Sequence, residues 1–207
     1  MPTPTLVLGT RNRKKGQELA ELLAPWGFDL KTLADLPDAI EVEETGRTFA
    51  ANAALKACQQ AKHLGRWVLG EDSGLVVNAL GGEPGVLSAR FSGAGATDES
   101  NNALVLARLG EIPLERRTAH YFCHAVLADP SGTVRAESEG ECRGRIRTSP
   151  AGSGGFGYDP LFEIVEYHRT FGELGPVVKV FLSHRARAIR AIIPELLKFV
   201  DAGSWSA

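Results

Sequence analysis

Apolar residues along the 207-residue chain come in short runs and in helical stripes. Leu6-Val7-Leu8 is a run of buried-strand length that stops at Gly9-Thr10. The pattern from Asn12 to Leu23 predicts a helix, ended by Pro25 and Gly27. Phe28 to Leu33 fits a second strand. Phe49, Ala53, Ala57, Ala61 and Leu64 recur at helical spacing, so Thr48 to Leu64 is predicted as a helix that Gly65 closes. Trp67-Val68-Leu69 reads as a short strand running into Gly70-Glu71-Asp72-Ser73-Gly74. Asp98 to Leu109 predicts another helix. Ala119 to Ala128 and Thr133 to Glu139 predict a hairpin about Asp129-Pro130-Ser131-Gly132. Gly152 to Pro160 is a glycine-rich loop. The last helix is expected from about Ser183 to Val200, with Ala188, Ile189, Ile192, Leu196 and Val200 on its apolar face. Helices and strands interleave without strict alternation, which predicts an α/β fold of mixed α+β character built on a mixed sheet.

Composition changes this picture little. With 43% hydrophobic and 23% charged residues the chain has the makings of a real core, and its length suits one domain over 1–207, with room for two lobes. A net charge of −2 gives no global field for nucleic acid, so any basic cluster needs a local explanation. Cys58, Cys123 and Cys142 make an odd count without paired spacing, which predicts reduced thiols in a cytoplasmic protein. No apolar run approaches membrane length and the start has no charged n-region, so neither a membrane span nor a signal peptide is expected.

One basic cluster does stand out. Arg11, Arg13, Lys14 and Lys15 crowd the turn between the first strand and the first helix. A helix N-terminus already offers unpaired N–H groups and a positive dipole end, so cations there oppose the helix and favour an anion. Phosphate is the expected anion, with Thr10 and Asn12 as neutral groups beside the turn; a solvated basic turn explains the same residues. The P-loop spacing is absent. Acids appear in two places. Glu41, Glu43 and Glu44 precede the long helix, which carries Lys56, and Glu71-Asp72 ends the short strand. Two carboxylates from separate segments suit a hard divalent ion such as Mg²⁺. Taken singly, Glu44 also serves as a helix-start acid and Asp72 as a turn former. In the glycine loop, Phe156 and Tyr158 offer faces for a base and Asp159 offers acceptors, or Phe156 simply packs inward. Ser183, His184 and Arg185 stand at a helix start, where Ser183 is also an ordinary N-cap.

In order, "GTRNRKKGQEL", "EETGRTFAANAALKA", "GEDSGLVVNALGGEPGVLSARFSG", "GGFGYDPLF" and "SHRARAI" resemble the inosine/xanthosine triphosphate pyrophosphatase family over nearly the whole chain. The resemblance implies an elongated mixed sheet flanked by helices, with two lobes and an active site in the cleft. It implies hydrolysis of noncanonical purine nucleoside triphosphates (dITP, ITP, XTP) at the α–β bond, with Mg²⁺, in a cytoplasmic homodimer. Thr10, Asn12 and Lys15 match the family's phosphate turn. Glu44 matches a metal-binding acid, Lys56 a lysine near the triphosphate, and Asp72 the essential acid that binds metal or activates water, with Ser73 beside it. Phe156, Tyr158 and Asp159 match the base-binding loop, and Lys179, Ser183, His184 and Arg185 the second wall of that pocket. Ser88 and Arg90 match a segment bordering the site, and "GGEPGVLSARF" offers part of a dimer interface. Glu71 stands where many bacterial relatives carry aspartate, and "LGPVVK" lacks the acids usual before the lysine. Other enzyme readings share the phosphate and metal residues and differ at the base loop. A non-catalytic nucleotide- or RNA-binding module is the alternative of a different class, and the acidic pair argues against it.

Overall fold

A computed structural model describes residues 3–205. Its strands are β1 (Thr5–Leu8), β2 (Asp29–Thr32), β3 (Val68–Val77), β4 (Thr118–Ala128), β5 (Val134–Ile146), β6 (Phe162–Ile164) and β7 (Arg169–Thr170). They form one mixed sheet in the order β2-β1-β3-β4-β5-β6-β7. Strand β1 runs parallel to both neighbours, and β6 runs antiparallel to β5 and β7. The helices are α1 (Arg13–Leu23), α2 (Phe49–Leu64), α3 (Asp98–Leu109), α4 (Phe171–Leu182) and α5 (His184–Asp201). Among the described residues, no helix is long and apolar enough to cross a membrane, and all three cysteines are free thiols.

The chain divides into two units. The first comprises the chain up to Asp72, Cys123–Gly140 and everything from Arg185 on. Here the strands bury side chains on both faces. Leu6, Leu8, Leu69, Cys123, Ala125 and Leu127 pack with Leu19 and Leu23 of α1 and with Ala188, Ile189, Ile192 and Leu196 of α5. The alternate residues Val7, Val68, Val126 and Ala128 pack with Ala53, Ala57 and Ala61 of α2. That division is the two-residue period of a strand, read from the core. Small residues on α2 let it lie close: a Cβ on Gly70 would sit 2.8 Å from the Ala53 carbonyl and 2.8 Å from the Ala57 nitrogen. The second unit, Ser73–Phe122 with Glu141–His184, has its own core of Leu75, Val105, Leu109, Tyr121, Phe162, Phe171 and their neighbours.

Most predicted elements stand where the pattern put them. Helix α2 begins at a Thr48 cap, whose side chain accepts from Ala51 N–H, and ends at Gly65 with φ 61°. Two readings need correction. The strand at Trp67–Leu69 does not end at Gly70; β3 continues to Val77, so Gly70-Glu71-Asp72-Ser73-Gly74 is extended backbone and not a turn. Its partner β1 stops at Leu8, opposite Leu69, so Glu71 and Asp72 lie just past the carboxyl end of β1, inside β3. Helix α4 was not legible, because Gly172, Gly175 and Pro176 interrupt its periodicity. Gly175, at φ 76° and ψ 173°, breaks the helix at that point.

Candidate active site

The first unit supplies a cluster of charge. Asn12 caps α1, its Oδ1 accepting from Lys15 N–H at 3.1 Å, and Thr10 Oγ1 accepts from Asn12 N–H at 3.2 Å. Both side chains therefore shape the turn that the sequence marked. The cations at its mouth have separate partners. Arg11 donates to the Ala39 carbonyl at 2.7 Å, and Lys15 Nζ lies 2.9 Å from Glu71 Oε1.

Helix α2 then presents a polar stripe at four-residue spacing, Asn52, Lys56 and Gln60. Lys56 Nζ lies 2.9 Å from Asp72 Oδ1 and 3.3 Å from Glu44 Oε1, which brings the acid loop and the strand acid to one point. Asn52, fully buried, donates to Asp72 Oδ2 at 3.2 Å, and its Oδ1 accepts from Gly46 N–H at 2.8 Å. Gln60 and His63 bond the carbonyls of Ile40 and Asp38. The irregular segment carrying Glu44 is thus tied down by side chains of α1 and α2. Asn52 was missed in the sequence. The available signal was a polar residue one turn before Lys56 on a helix whose other small residues predict burial.

Electrostatics separate the two neighbouring acids. Burial raises the Asp72 carboxyl above its usual range, and Lys56 opposes that shift. Burial acts in the same sense on Glu71, but Arg185, then Lys15 and Lys56, outweigh it and hold Glu71 well below the ordinary carboxylate range. Lys56 resists its own burial because Asp72, Glu71 and Glu44 favour the ammonium, so it stays protonated. Asp72 therefore has the character of a base that takes up a proton readily, and Glu71 that of a fixed charge.

The second unit carries the aromatic loop. Asp159 is buried; its Oδ2 accepts from Phe156 N–H at 2.8 Å and from Lys179 Nζ at 2.6 Å, and its Oδ1 from Tyr121 at 3.3 Å. Lys179 Nζ stands 4.2 Å from the centre of the half-buried Phe156 ring. Gly155 must be glycine: its φ is 75° and a Cβ would meet Asp159 Oδ2 at 2.0 Å. Tyr158 departs from the expected stacking face. Its ring lies in the core and its hydroxyl donates to the Ser88 carbonyl at 2.8 Å, so it braces the loop from beneath. Tyr121, missed in the sequence, stacks on His184 at 4.7 Å and 10°. Ser183 and His184 are buried in this unit, Ser73 follows Asp72 half-buried in β3, Ser88 is buried and Arg90 is exposed. Arg185 begins the return to the first unit, where it pairs with Glu18 and Glu71.

Among the described residues no group of three or more His, Cys, Asp or Glu side chains could hold a metal ion. Glu44 and Asp72 nevertheless converge on one ammonium, which shows that their oxygens can share a cation. Two carboxylates completed by substrate oxygens and water are a donor set that suits Mg²⁺.

Comparison with known proteins agrees with this arrangement. The dITP/XTP pyrophosphatase of Rhodopirellula baltica is 55% identical over 98% of this chain and 97% of its own. The structure of a HAM1 protein from Coxiella burnetii superposes with a TM-score of 0.85 at 34% identity, covering 94% of this chain and 99% of that one. A nucleoside-triphosphatase / dITP/XTP pyrophosphatase from Mycobacterium abscessus gives 0.74 at 44% identity over 93% of this chain and 99% of its own. The Ham1 family model matches residues 6–195, from β1 into α5, and with it the chain belongs to the Ham1 family.

Proposed function

We propose that this protein is a nucleoside triphosphate pyrophosphatase that hydrolyses dITP, ITP and XTP to the monophosphate and pyrophosphate. The observation that carries the reading is the convergence of Glu44 and Asp72 on Lys56, in a chain 55% identical to a protein named dITP/XTP pyrophosphatase. A triphosphate brings about four negative charges, and its hydrolysis is driven mainly by positioning and charge stabilisation. Lys56 and Lys15 supply positive charge for the phosphate chain. Glu44 and Asp72 are the residues that would hold Mg²⁺, which when bound neutralises phosphate oxygens. Asp72 takes a proton from the water that attacks the α-phosphorus. The Pα–O bond to the bridging oxygen breaks, and pyrophosphate leaves with that oxygen.

For base selection we assign the aromatic loop, with Phe156 as the stacking ring and Asp159 holding both the loop and Lys179. Hypoxanthine and xanthine carry a carbonyl at C6 and a proton on N1, whereas adenine carries an amino group and a bare N1. Donors aimed at O6, from His184 or loop N–H groups, would be left unpaired against adenine, and such mismatches discriminate strongly. The same reading places the protein in the cytoplasm as a homodimer, with the surface about Leu87 as the contact.

A product assay tests it. ITP with Mg²⁺ should give IMP and pyrophosphate, with ATP and GTP nearly untouched. IDP and orthophosphate would overturn the bond assignment, and equal turnover of ATP would overturn the base pocket.

A further inference from the structure

Glu71 and Asp72 are neighbours on β3, and a strand sends neighbours to opposite faces. Asp72 meets Asn52 and Lys56 on the α2 side. Glu71 points the other way, where Cys123 Sγ donates to its Oε2 at 3.5 Å and Lys15 Nζ lies 2.9 Å from its Oε1. Glu71 is therefore on the wrong face to share a cation or a water with Asp72. Its third partner is Arg185, whose Nη2 lies 3.6 Å from Glu71 Oε1 while Nη1 bonds Glu18 Oε2. Glu18 and Lys15 both belong to α1. The guanidinium fork thus joins the start of α5 to α1 through one carboxylate and to Lys15 through the other.

We infer that Arg185 and Glu71 are positioning residues for Lys15, fixing its ammonium for the phosphate chain, and that Arg185 is not a contact of the base. Burial decides between the two roles. The Arg185 side chain is 2% exposed and that of Glu71 1%, whereas Lys15 is 20% exposed. A guanidinium enclosed between two carboxylates would have to give one up to reach a base. A lysine left to itself samples many rotamers; one held at its ammonium by a fixed charge keeps its reach toward one point. The inference rests on the triphosphate reading above and deepens it: Lys15 and Lys56 are set by two acids on the two faces of a single strand.

Inorganic tripolyphosphate, which has the phosphate chain and no base, separates the roles. Arg185→Lys keeps the charge but not the fork. In this variant the inhibition constant for tripolyphosphate and the KM for ITP should rise together, by about tenfold, the scale of one charge-assisted contact. The preference for ITP over GTP should stay as it is, and Lys15→Ala added to Arg185→Lys should cost little more than Lys15→Ala alone. Glu18→Gln, at a more exposed site, should show the same pattern more weakly, and serves if Arg185→Lys fails to fold. Unchanged tripolyphosphate inhibition with loss of base preference would overturn the inference, as would additive effects of the two substitutions. Failure of tripolyphosphate to inhibit the unmodified enzyme would also overturn it. The product assay on the unmodified enzyme tests the triphosphate reading separately.

Discussion

At the scale of single residues, the site is a set of charges whose neighbours assign their work. Asp72 is the clearest case. Burial pushes its carboxyl up, Lys56 opposes that, and Asn52 fixes one of its oxygens. Asp72→Asn keeps the shape and removes the charge and the base together. It should lower kcat for ITP at least about a hundredfold, the lower end of general acid–base effects, with little loss of thermal stability. Steady-state kinetics beside a melting curve checks both halves; near-normal turnover would remove Asp72 from the mechanism. Tyr158 teaches the opposite lesson. An aromatic residue in a glycine loop suits stacking on a base, yet its ring is core and its hydroxyl braces Ser88.

At the scale of elements, the turn between β4 and β5 is held by one side chain. Asp129 accepts from Ser131 N–H at 2.9 Å, from Thr133 N–H at 3.1 Å and from Arg135 Nε at 2.6 Å. Burial would raise its pKa, but the Ser131 hydroxyl, Arg135 and the two N–H groups outweigh it and bring it below 3.8. A carboxyl whose folded pKa lies below its unfolded one adds stability above the unfolded value and loses it as pH falls through the folded one. Asp129→Asn should therefore cost about 1–3 kcal/mol near neutrality. The gap to the unmodified protein should close as the pH drops below 3.8. Urea unfolding at neutral and acid pH measures the gap; one that is the same at both would discard the clamp.

For the whole molecule, the division into units is not a division of the sequence. The chain passes between units after Asp72, Phe122, Gly140 and His184. These points fall inside β3, β4, β5 and at the first residue of α5. Strands begun in one core are finished in the other, so neither core can form from an uninterrupted stretch. Calorimetry should then give a single transition with equal van't Hoff and calorimetric enthalpies. Two resolved transitions would mean that the units fold separately and would overturn the single-domain expectation.

The sequence by itself determined most elements and the chemistry they carry. Strand β1, helices α1, α2, α3 and α5 and the β4–β5 hairpin follow from local periodicity and local stops such as Asn12, Thr48, Gly65 and the turn at Asp129, all of which act within a few residues. The ordered motifs likewise named Lys15, Glu44, Lys56, Asp72 and Lys179 before any fold was known. What only the tertiary structure decided is pairing and face. Whether β3 stops at Gly70 depends on strands and a helix distant in sequence that give its backbone and small residues somewhere to go. The separation of Glu71 from Asp72 depends on their being in a strand at all; in a turn, both acids were free to face one ion. Helix α4 was hidden because glycine and proline break its periodicity, and its capping box shows only once Thr170 and Glu173 meet. Arg185 reads in sequence as part of a base pocket, and the fold encloses it between Glu18 and Glu71. Those partners are brought together by long-range packing, which local periodicity does not encode.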